Sequence, residues 1–340
     1  MTRAGEVGVL ITSASRKVWL VRAFGEALRR VDGGRVVAVD VDPHAPALYT
    51  ADHAELVPRS DDPAFVDHIL GLCQREGIRL VVPTRDEELP VFARARQRFA
   101  AAGVLVLVSG PEAIETCQDK WRFVTACRAA GLGTPRVVER PSVEELPLFV
   151  RPVTGKGGRG ARSVRTAAQL AAAGEELGEQ ALWQELVSAP ELTVDVFLSL
   201  DGTPITCVPR ERLLVIAGES HVARTTRDGA LRDATLRLCA ALGLVGHNTI
   251  QAFRRDDEVL FLEVNPRYGG GAALGFAAGA FTPELAVRTA LGERLTPRLD
   301  AYEVGLVMLR YSDDLFLHVD DLLARPATSA TAKGRRGSSP

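Results

Sequence analysis

The regular patterning of the chain begins with VGVLIT at 7–12, a short apolar run of the kind that forms a strand buried on both faces. The period then changes. Val18, Val21, Phe24 and Leu28 recur three and four residues apart, which is one face of a helix. GRVVAVDVD predicts a second strand that ends in acidic residues, and a helix over 63–76 follows it. After these come the strand IRLVVPT, a helix over 86–101 and the strand GVLVLVS. Strands alternating with helices imply a parallel sheet covered on both faces. Residues 1–110 are therefore expected to form a Rossmann-like α/β domain.

From residue 111 the texture differs. PEAIETCQDKWRFVTACRAAGL predicts one helix, started near Pro111 and stopped by Gly131. FVRPV and ARSVRT read as two strands flanking the Gly-rich run VTGKGGRG, and Thr166 with Gln169 predicts a capping box at the head of AAQLAAAGEEL. ALWQELV is strand-like, and ELTVDVFLSLDGTPITCVPRERL is two strands turning at DGTP. A helix covers 229–243, and NTIQAFRRDDEVLFLEVNP is a hairpin turning at RDDE. This succession suits an α+β arrangement with antiparallel sheets. The last stretch, 325–340, is small, polar and basic, which predicts a disordered tail.

Composition narrows the class. A chain of 340 residues suits two or three subdomains, and 46% apolar with 25% charged residues is ordinary for a soluble globular protein. The formal net charge of -2 favours neither nucleic acid nor an anionic membrane as a partner. The most apolar region, 269–281, is too short and too rich in Gly and Ala to span a bilayer, and no secretory leader pattern opens the chain. Cys73, Cys117, Cys127, Cys207 and Cys239 have no C-x-x-C spacing and read as free thiols, so a cytoplasmic location is expected. The dispersed histidines argue against a His-based zinc site.

The chemistry turns on LFVRPVTGKGGRGARSV, residues 148–164. Gly155, Gly157 and Gly160 spell G-x-G-x-x-G, and Lys156 makes the start resemble a P-loop. A dinucleotide fingerprint needs a helix opening at its last glycine, yet alternating ARSVRT follows here. A P-loop needs Ser or Thr after the lysine, and Gly157 stands there. What remains is a strand–glycine loop–strand hairpin with Arg151 on its incoming strand. It is either a surface hairpin or a phosphate cradle built from backbone N–H groups.

Downstream residues favour the cradle. Gln184 and Glu185, then Glu191, come within WQELVSAPELTVDV, and QAFRRDDEVLFLEVNPRYGGG supplies Gln251, Glu263, Asn265 and Arg267. Glu263 and Asn265 are two apart, so both point to one face of a strand. Oxygen donors there, with Gln251 across the hairpin, suit Mg2+ bridging nucleotide phosphates. Arg267 adds a fixed cation to the same face.

Taken in order, these motifs resemble the ATP-grasp superfamily, and more closely the ATP-binding halves of carbamoyl-phosphate synthetase large subunits. The resemblance covers about 7–310. It implies an N-terminal pre-ATP-grasp domain over 1–110, followed by two α+β subdomains that clasp ATP. The first of these, 111–187, carries the glycine-loop lid, and the second, 188–324, carries the metal site. It implies that Lys120, Arg151, Gly155, Lys156, Gly157 and Gly158 contact ATP phosphates. Gln184, Glu185, Leu186 and Val187 match the adenine hinge, Glu191 the ribose acid, and Gln251, Glu263 and Asn265 the ligands of Mg2+ or Mn2+. Gln251 also counts among the ATP contacts. Lys120, Arg151 and Arg267 are the catalytic cations.

The synthetase subunit has two such halves and this chain has one, which points away from carbamoyl phosphate synthesis. NPRYGGGAALGFAAGAF is similar to single-unit ligases that join a carboxylate to an amine. The implied reaction makes an acyl phosphate from a small-molecule carboxylate and ATP, then passes the acyl group to an amine. Candidate substrate contacts are Ser15, Arg16, Glu87, Arg210, Arg212, Arg267 and Gly270, with Ser13 and Arg224 as further candidates. Asp86, Glu87 and Glu88 are placed to receive an ammonium group, or to favour a helix N-terminus. A kinase that stops at phosphorylation and a nucleotide-binding regulatory protein stay open as alternatives. So does a homodimer.

Overall fold

The computed structural model describes residues 7–31, 33–155, 158–216 and 218–323. The expected tail at 325–340 lies outside them, as do Lys156 and Gly157 of the glycine run. The four apolar runs near the N-terminus become β1 (Val7–Thr12), β2 (Gly34–Asp40), β4 (Ile78–Pro83) and β5 (Leu105–Val106), and a short strand that the sequence reading lacks, β3 (His53–Leu56), joins them. They form a wholly parallel sheet in the order β3-β2-β1-β4-β5. Helix α1 (Val18–Arg29) packs on one face through Leu20, Val21, Phe24 and Leu28, and α2 (Phe65–Glu76) and α3 (Leu89–Ala101) pack on the other. The sheet order reverses direction of winding at β1 and β4. Their carboxyl ends are therefore where an open α/β sheet leaves a crevice.

The spacing predicts one helix over 111–131, and the structure breaks it at Asp119. Helix α4 (Pro111–Gln118) ends there and α5 (Lys120–Ala129) begins. Asp119 is extended, and its carboxylate accepts from the N–H of Trp121 (2.8 Å) and Arg122 (3.0 Å) as an N-cap. The break makes Lys120 the first residue of α5, with its N–H donating to the Val153 carbonyl at 3.1 Å. An acidic cap inside an otherwise helical pattern was the available signal.

A small antiparallel sheet follows, β7-β6-β8, built from β6 (Leu148–Pro152), β7 (Arg162–Val164) and β8 (Ala181–Glu185). It is backed by α6 (Ala167–Leu177), whose Thr166 cap accepts from the Gln169 N–H at 3.2 Å. β6 and β7, on either side of the glycine run, are thus antiparallel neighbours.

The largest sheet has six strands in the order β13-β12-β9-β10-β11-β14. Its members are β9 (Glu191–Leu198), β10 (Pro204–Ile216), β11 (Glu219–Thr225), β12 (Gly246–Arg255), β13 (Glu258–Asn265) and β14 (Val307–Leu309). Strands β11 and β14 have no counterpart in the sequence reading, because each pattern is short and half exposed. α5 and α7 (Gly229–Leu242) cover one face of the sheet. Helix α8 (Ala272–Ala277) then leads to α9 (Thr282–Ala290). Ala286 and Val287 of α9 join Phe197, Ile205 and Tyr268 in the same apolar core as α1 and β1. The C-terminal part of the chain therefore packs directly on the N-terminal sheet, which fixes the position of one site wall relative to the other. Among the described residues no helix is long and apolar enough to cross a membrane.

Candidate functional site

The first wall is cationic. Arg151 on β6 is buried at 7% exposure; its Nη2 donates to the Leu262 carbonyl at 3.1 Å, and its Nε is buried with no partner. Leu262 presents that carbonyl because β13 carries an extra residue there. Gln251 pairs with Glu263 and Ala252 with Phe261, so Leu262 bulges out of the ladder. Lys120 donates from Nζ to the carbonyls of Gly155 (3.2 Å) and Val153 (3.4 Å). Burial, with Arg151 nearby, lowers the Lys120 pKa, and burial also lowers that of Arg151 against the opposing charge of Glu263. Two desolvated cations with incomplete hydrogen bonding make a site that an anion would complete. The turn between β6 and β7 has Gly155, Gly158 and Gly160 at positive φ (129°, 67° and 75°), which a side chain would disfavour.

The facing wall is a set of oxygens. Gln251 on β12 lies opposite Glu263 on β13, and Asn265 lies two residues on, so the three share one face of the hairpin. Asn265 Nδ2 donates to Glu263 Oε1 at 3.0 Å, and Gln251 Nε2 donates to Glu191 Oε1 at 2.9 Å. Glu263 Oε2 and Gln251 Oε1 have no hydrogen-bond donor among the described residues. One carboxylate and two carboxamides are a hard oxygen set, which fits Mg2+ held partly by phosphate oxygens rather than a closed protein cage. Among the described residues no cluster of three His, Cys, Asp or Glu offers a competing metal site.

Arg267 closes this face. Its Nε and Nη2 each donate to Asp86 at 2.7 Å, and Nη2 also donates to Asn265 Oδ1 at 3.2 Å. Burial opposes its charge, but the Asp86 carboxylate outweighs that and raises the pKa further. The bidentate pair joins residues from the first sheet and the last. Asp86 is thus committed to Arg267, a correction to its expected role as an ammonium receptor. Glu88 is also committed. It is buried and accepts from Thr12 Oγ1 (2.9 Å), Ser13 Oγ (2.9 Å) and the N–H groups of Thr84 (2.6 Å) and Arg85 (3.1 Å). Burial raises its pKa against those hydrogen bonds. Glu88 ties the ends of β1 and β4 together and does not face a ligand.

The hinge residues connect the two antiparallel sheets. Gln184 is buried with Nε2 donating to the Pro135 carbonyl at 3.2 Å, and Glu185 ends β8. Glu185 accepts from the Arg136 N–H at 2.9 Å and pairs with Arg255 at 3.0 Å. Half-buried Leu186 and Val187 lead from there toward β9, whose first residue, Glu191, pairs with Arg212.

A cavity of about 250 Å3 opens beside the oxygen wall. It brings together Arg210, Arg212, Gln251, Glu263, Asn265, Arg267 and Gly270 from the candidate set. Ser15, Arg16 and Glu87 do not line it. The Ser15 N–H is held by Asp40 at 2.9 Å, Arg16 is exposed, and Glu87 accepts from Arg85 at 3.4 Å. Arg224 points away and pairs with Glu211 at 2.6 Å. The thiols are not nucleophiles here, since burial pushes Cys73, Cys127 and Cys207 up to about 12.

Sequence reasoning missed Asp195, Ser220 and Lys17. Asp195 had a readable signal, a lone carboxylate inside the apolar strand LTVDVFL. Lys17 donates to the Ser13 carbonyl at 3.3 Å. Burial and then the Arg267 charge pull its pKa from 10.5 to about 8, Arg85 adding to the fall while Glu88 and Asp40 oppose it. Below pH 8 the folded chain carries a charge its surroundings disfavour. Between pH 8 and 10.5 the unfolded chain keeps a proton the folded one has lost, so stability rises with pH. Lys17→Met is expected to raise the Tm at pH 7, with the gain shrinking toward pH 10.5 in a melting series. No gain at pH 7 would mean that the ammonium is not under strain.

The parallel domain, the β6–β7 hairpin and the oxygen wall thus meet around the residues described above. Residues 9–107 match the model of PylC-like N-terminal domains, and 117–271 match that of an ATP-grasp domain. By these matches 117–271 is an ATP-grasp domain, preceded by a PylC-like one. It is 26% identical over 258 residues to the carbamoyl phosphate synthase large chain of Gemmatimonas aurantiaca, covering 69% of this chain and 23% of that protein. To the same protein of Rubrobacter xylanophilus it is 28% identical over 268 residues, covering 69% and 24%. It thus spans about a quarter of the length of these relatives. Among solved structures, the biotin carboxylase domain dimer of Hydrogenobacter thermophilus 2-oxoglutarate carboxylase, in complex with MgADP, ADP and bicarbonate, superposes with a TM-score of 0.70. That match is 17% identical and covers 90% of this chain and 74% of that one. N5-carboxyaminoimidazole ribonucleotide synthetase in its ADP complex gives 0.68 at 18% identity, covering 90% and 82%.

Proposed function

We propose that the protein is an ADP-forming carboxylate–amine ligase acting on small metabolites. The observation that carries this reading is the pairing of two walls. Buried Arg151, with its unpartnered Nε, and Lys120 face Glu263, which shares its strand face with Asn265 and Gln251. Glu263, Asn265 and Gln251 would hold Mg2+ or Mn2+, whose charge offsets that of the phosphate oxygens. Lys120, Arg151 and the N–H groups of the glycine turn hold the phosphates of ATP, and the Gln184–Val187 hinge and Glu191 receive the nucleoside.

A carboxylate oxygen forms a bond to the γ-phosphorus as the bond to ADP breaks, and the electron pair leaves with ADP. Positioning and charge carry most of that step. An amine nitrogen then bonds to the acyl carbon, phosphate departs with its bonding electrons, and the amine loses a proton. Arg267, oriented by Asp86, stabilises the oxyanion between those events.

The test is phosphate release against a panel of amino acids and simple carboxylates, with hydroxylamine as the trap. The expected result is a hydroxamate from one acid and faster turnover on adding an amine. Hydroxamate without any amine dependence would favour a kinase. ADP formation indifferent to every acid would leave only nucleotide binding.

A further inference from the structure

The cavity beside the oxygen wall has its own anion seat. Its charged lining is Arg210, Arg212 and Arg267 against Glu219 and Glu263, a formal excess of one positive charge. The three arginines are not equivalent. Arg267 is engaged by Asp86 and Asn265. Arg212 spends Nε on Ser220 (3.2 Å), Nη1 on Glu191 and Nη2 on the Gly218 carbonyl (2.7 Å). Of the three, Arg210 alone has a guanidinium nitrogen without a partner among the described residues. Its Nε donates to Asp195 at 2.8 Å and its Nη1 to Ser220 at 3.2 Å, and its Nη2 has no partner.

The seat is rigid. Arg210 is 3% exposed and Asp195 is 4% exposed. Asp195 also accepts from Thr249 Oγ1 at 2.9 Å and lies 3.7 Å from His247 Nε2. Thr249 Oγ1 in turn accepts from the Gly269 N–H at 3.1 Å, which ties the wall Gly269–Gly271 to the same network. A Cβ on Gly271 would lie 2.6 Å from Arg210 Cζ, so the guanidinium rests against bare backbone. A planar guanidinium held at Nε and Nη1, with Nη2 without a partner among the described residues, presents a fixed donor to a carboxylate oxygen, which a flexible ammonium would not. The cavity of about 250 Å3 is shared with Gln251, Glu263, Asn265 and Arg267, so the room beside Arg210 is only part of it.

We infer that Arg210 is the residue that binds the carboxylate of the acid substrate, and that this substrate is a compact acid of about amino-acid size. The inference rests on the ligase reading and deepens it, because the seat adjoins the wall where Arg267 would act. Gly271 packs against the guanidinium and leaves no room for a side chain there, and the engaged Nε and Nη1 leave Nη2 as the contact.

The experiment is calorimetry on the full chain saturated with MgADP, titrated with acetate, glycine, L-alanine, L-aspartate and their amides. At least one acid is expected to bind and its amide to fail. Arg210→Lys and Gly271→Ala, which disturb the seat from opposite sides, are each expected to weaken that acid at least tenfold while MgADP affinity stays within twofold. Acid binding unchanged in both variants, or no acid bound by the native chain, overturns the inference. Loss of MgADP binding by both variants also overturns it, in favour of a structural role. Failure of the native chain to bind MgADP would instead sink the ligase reading itself.

Discussion

Glu263→Gln is expected to cut ATP-dependent phosphate release by about a hundredfold, with the fold intact. Glu263 is the one carboxylate in an oxygen set completed by two neutral carboxamides, Gln251 and Asn265. The amide keeps the size and an oxygen that can still accept from Asn265 Nδ2, so the β12–β13 hairpin should hold. What disappears is the charge that faces Arg151 and Lys120 and would face a divalent cation. Two desolvated cations would then stand without their counter-charge, and a cation between the walls would have only neutral protein oxygens. Phosphate release at saturating Mg2+, read beside MgADP calorimetry, checks this. Full activity in the variant would remove Glu263 from the metal set and with it the main support for the ligase reading.

Asp195→Ala should have the largest effect on stability, a loss of about 3–5 kcal/mol, because it leaves the buried Arg210 guanidinium without its partner. Burial opposes ionisation of Asp195, but the charge of Arg210 and the Arg210 Nε hydrogen bond, with His247 close by, outweigh it and hold its pKa well below the usual 3.8. A carboxylate with a depressed folded-state pKa contributes stability above pH 3.8 and loses it as pH falls through the folded value. The difference between wild type and variant should therefore be full at neutral pH and narrow under strong acid. Urea unfolding at pH 7 measures the first part. A loss below about 1 kcal/mol would show that relaxation or water compensates the arginine, and would also weaken the rigidity ascribed to the Arg210 seat.

How much of this was legible depends on the range of the forces involved. The parallel sheet was readable because burial on both faces gives uninterrupted apolar runs, and α1 because Val18, Val21, Phe24 and Leu28 keep helical spacing. The β6–β7 hairpin was readable because its glycines are followed by an alternating segment. Glu263 and Asn265 could be placed on one strand face from their spacing alone, since alternation is a local property of extended chain. The break at Asp119 was overlooked because capping competes with helix continuation over only a few residues, and an apolar pattern on both sides hides it.

Partnership was decided elsewhere. Asp86 reads as a plausible ammonium receptor until the fold brings Arg267 to it from 181 residues away. Arg210, Arg212 and Arg224 look alike in a chain rich in arginine. They separate only once Glu211, Glu191 and Asp195 are placed, taking Arg224 out of the cavity, filling Arg212 and leaving only Nη2 of Arg210 without a partner among the described residues. By itself, then, the sequence determined most of the elements, the order of the candidate motifs, and the shared face of Glu263 and Asn265, because these follow from backbone period and local sterics. Only the tertiary structure decided which charges neutralise one another and which stay available. Electrostatic pairing depends on distance in space, and the docking of α9 and the six-stranded sheet on the first domain sets those distances.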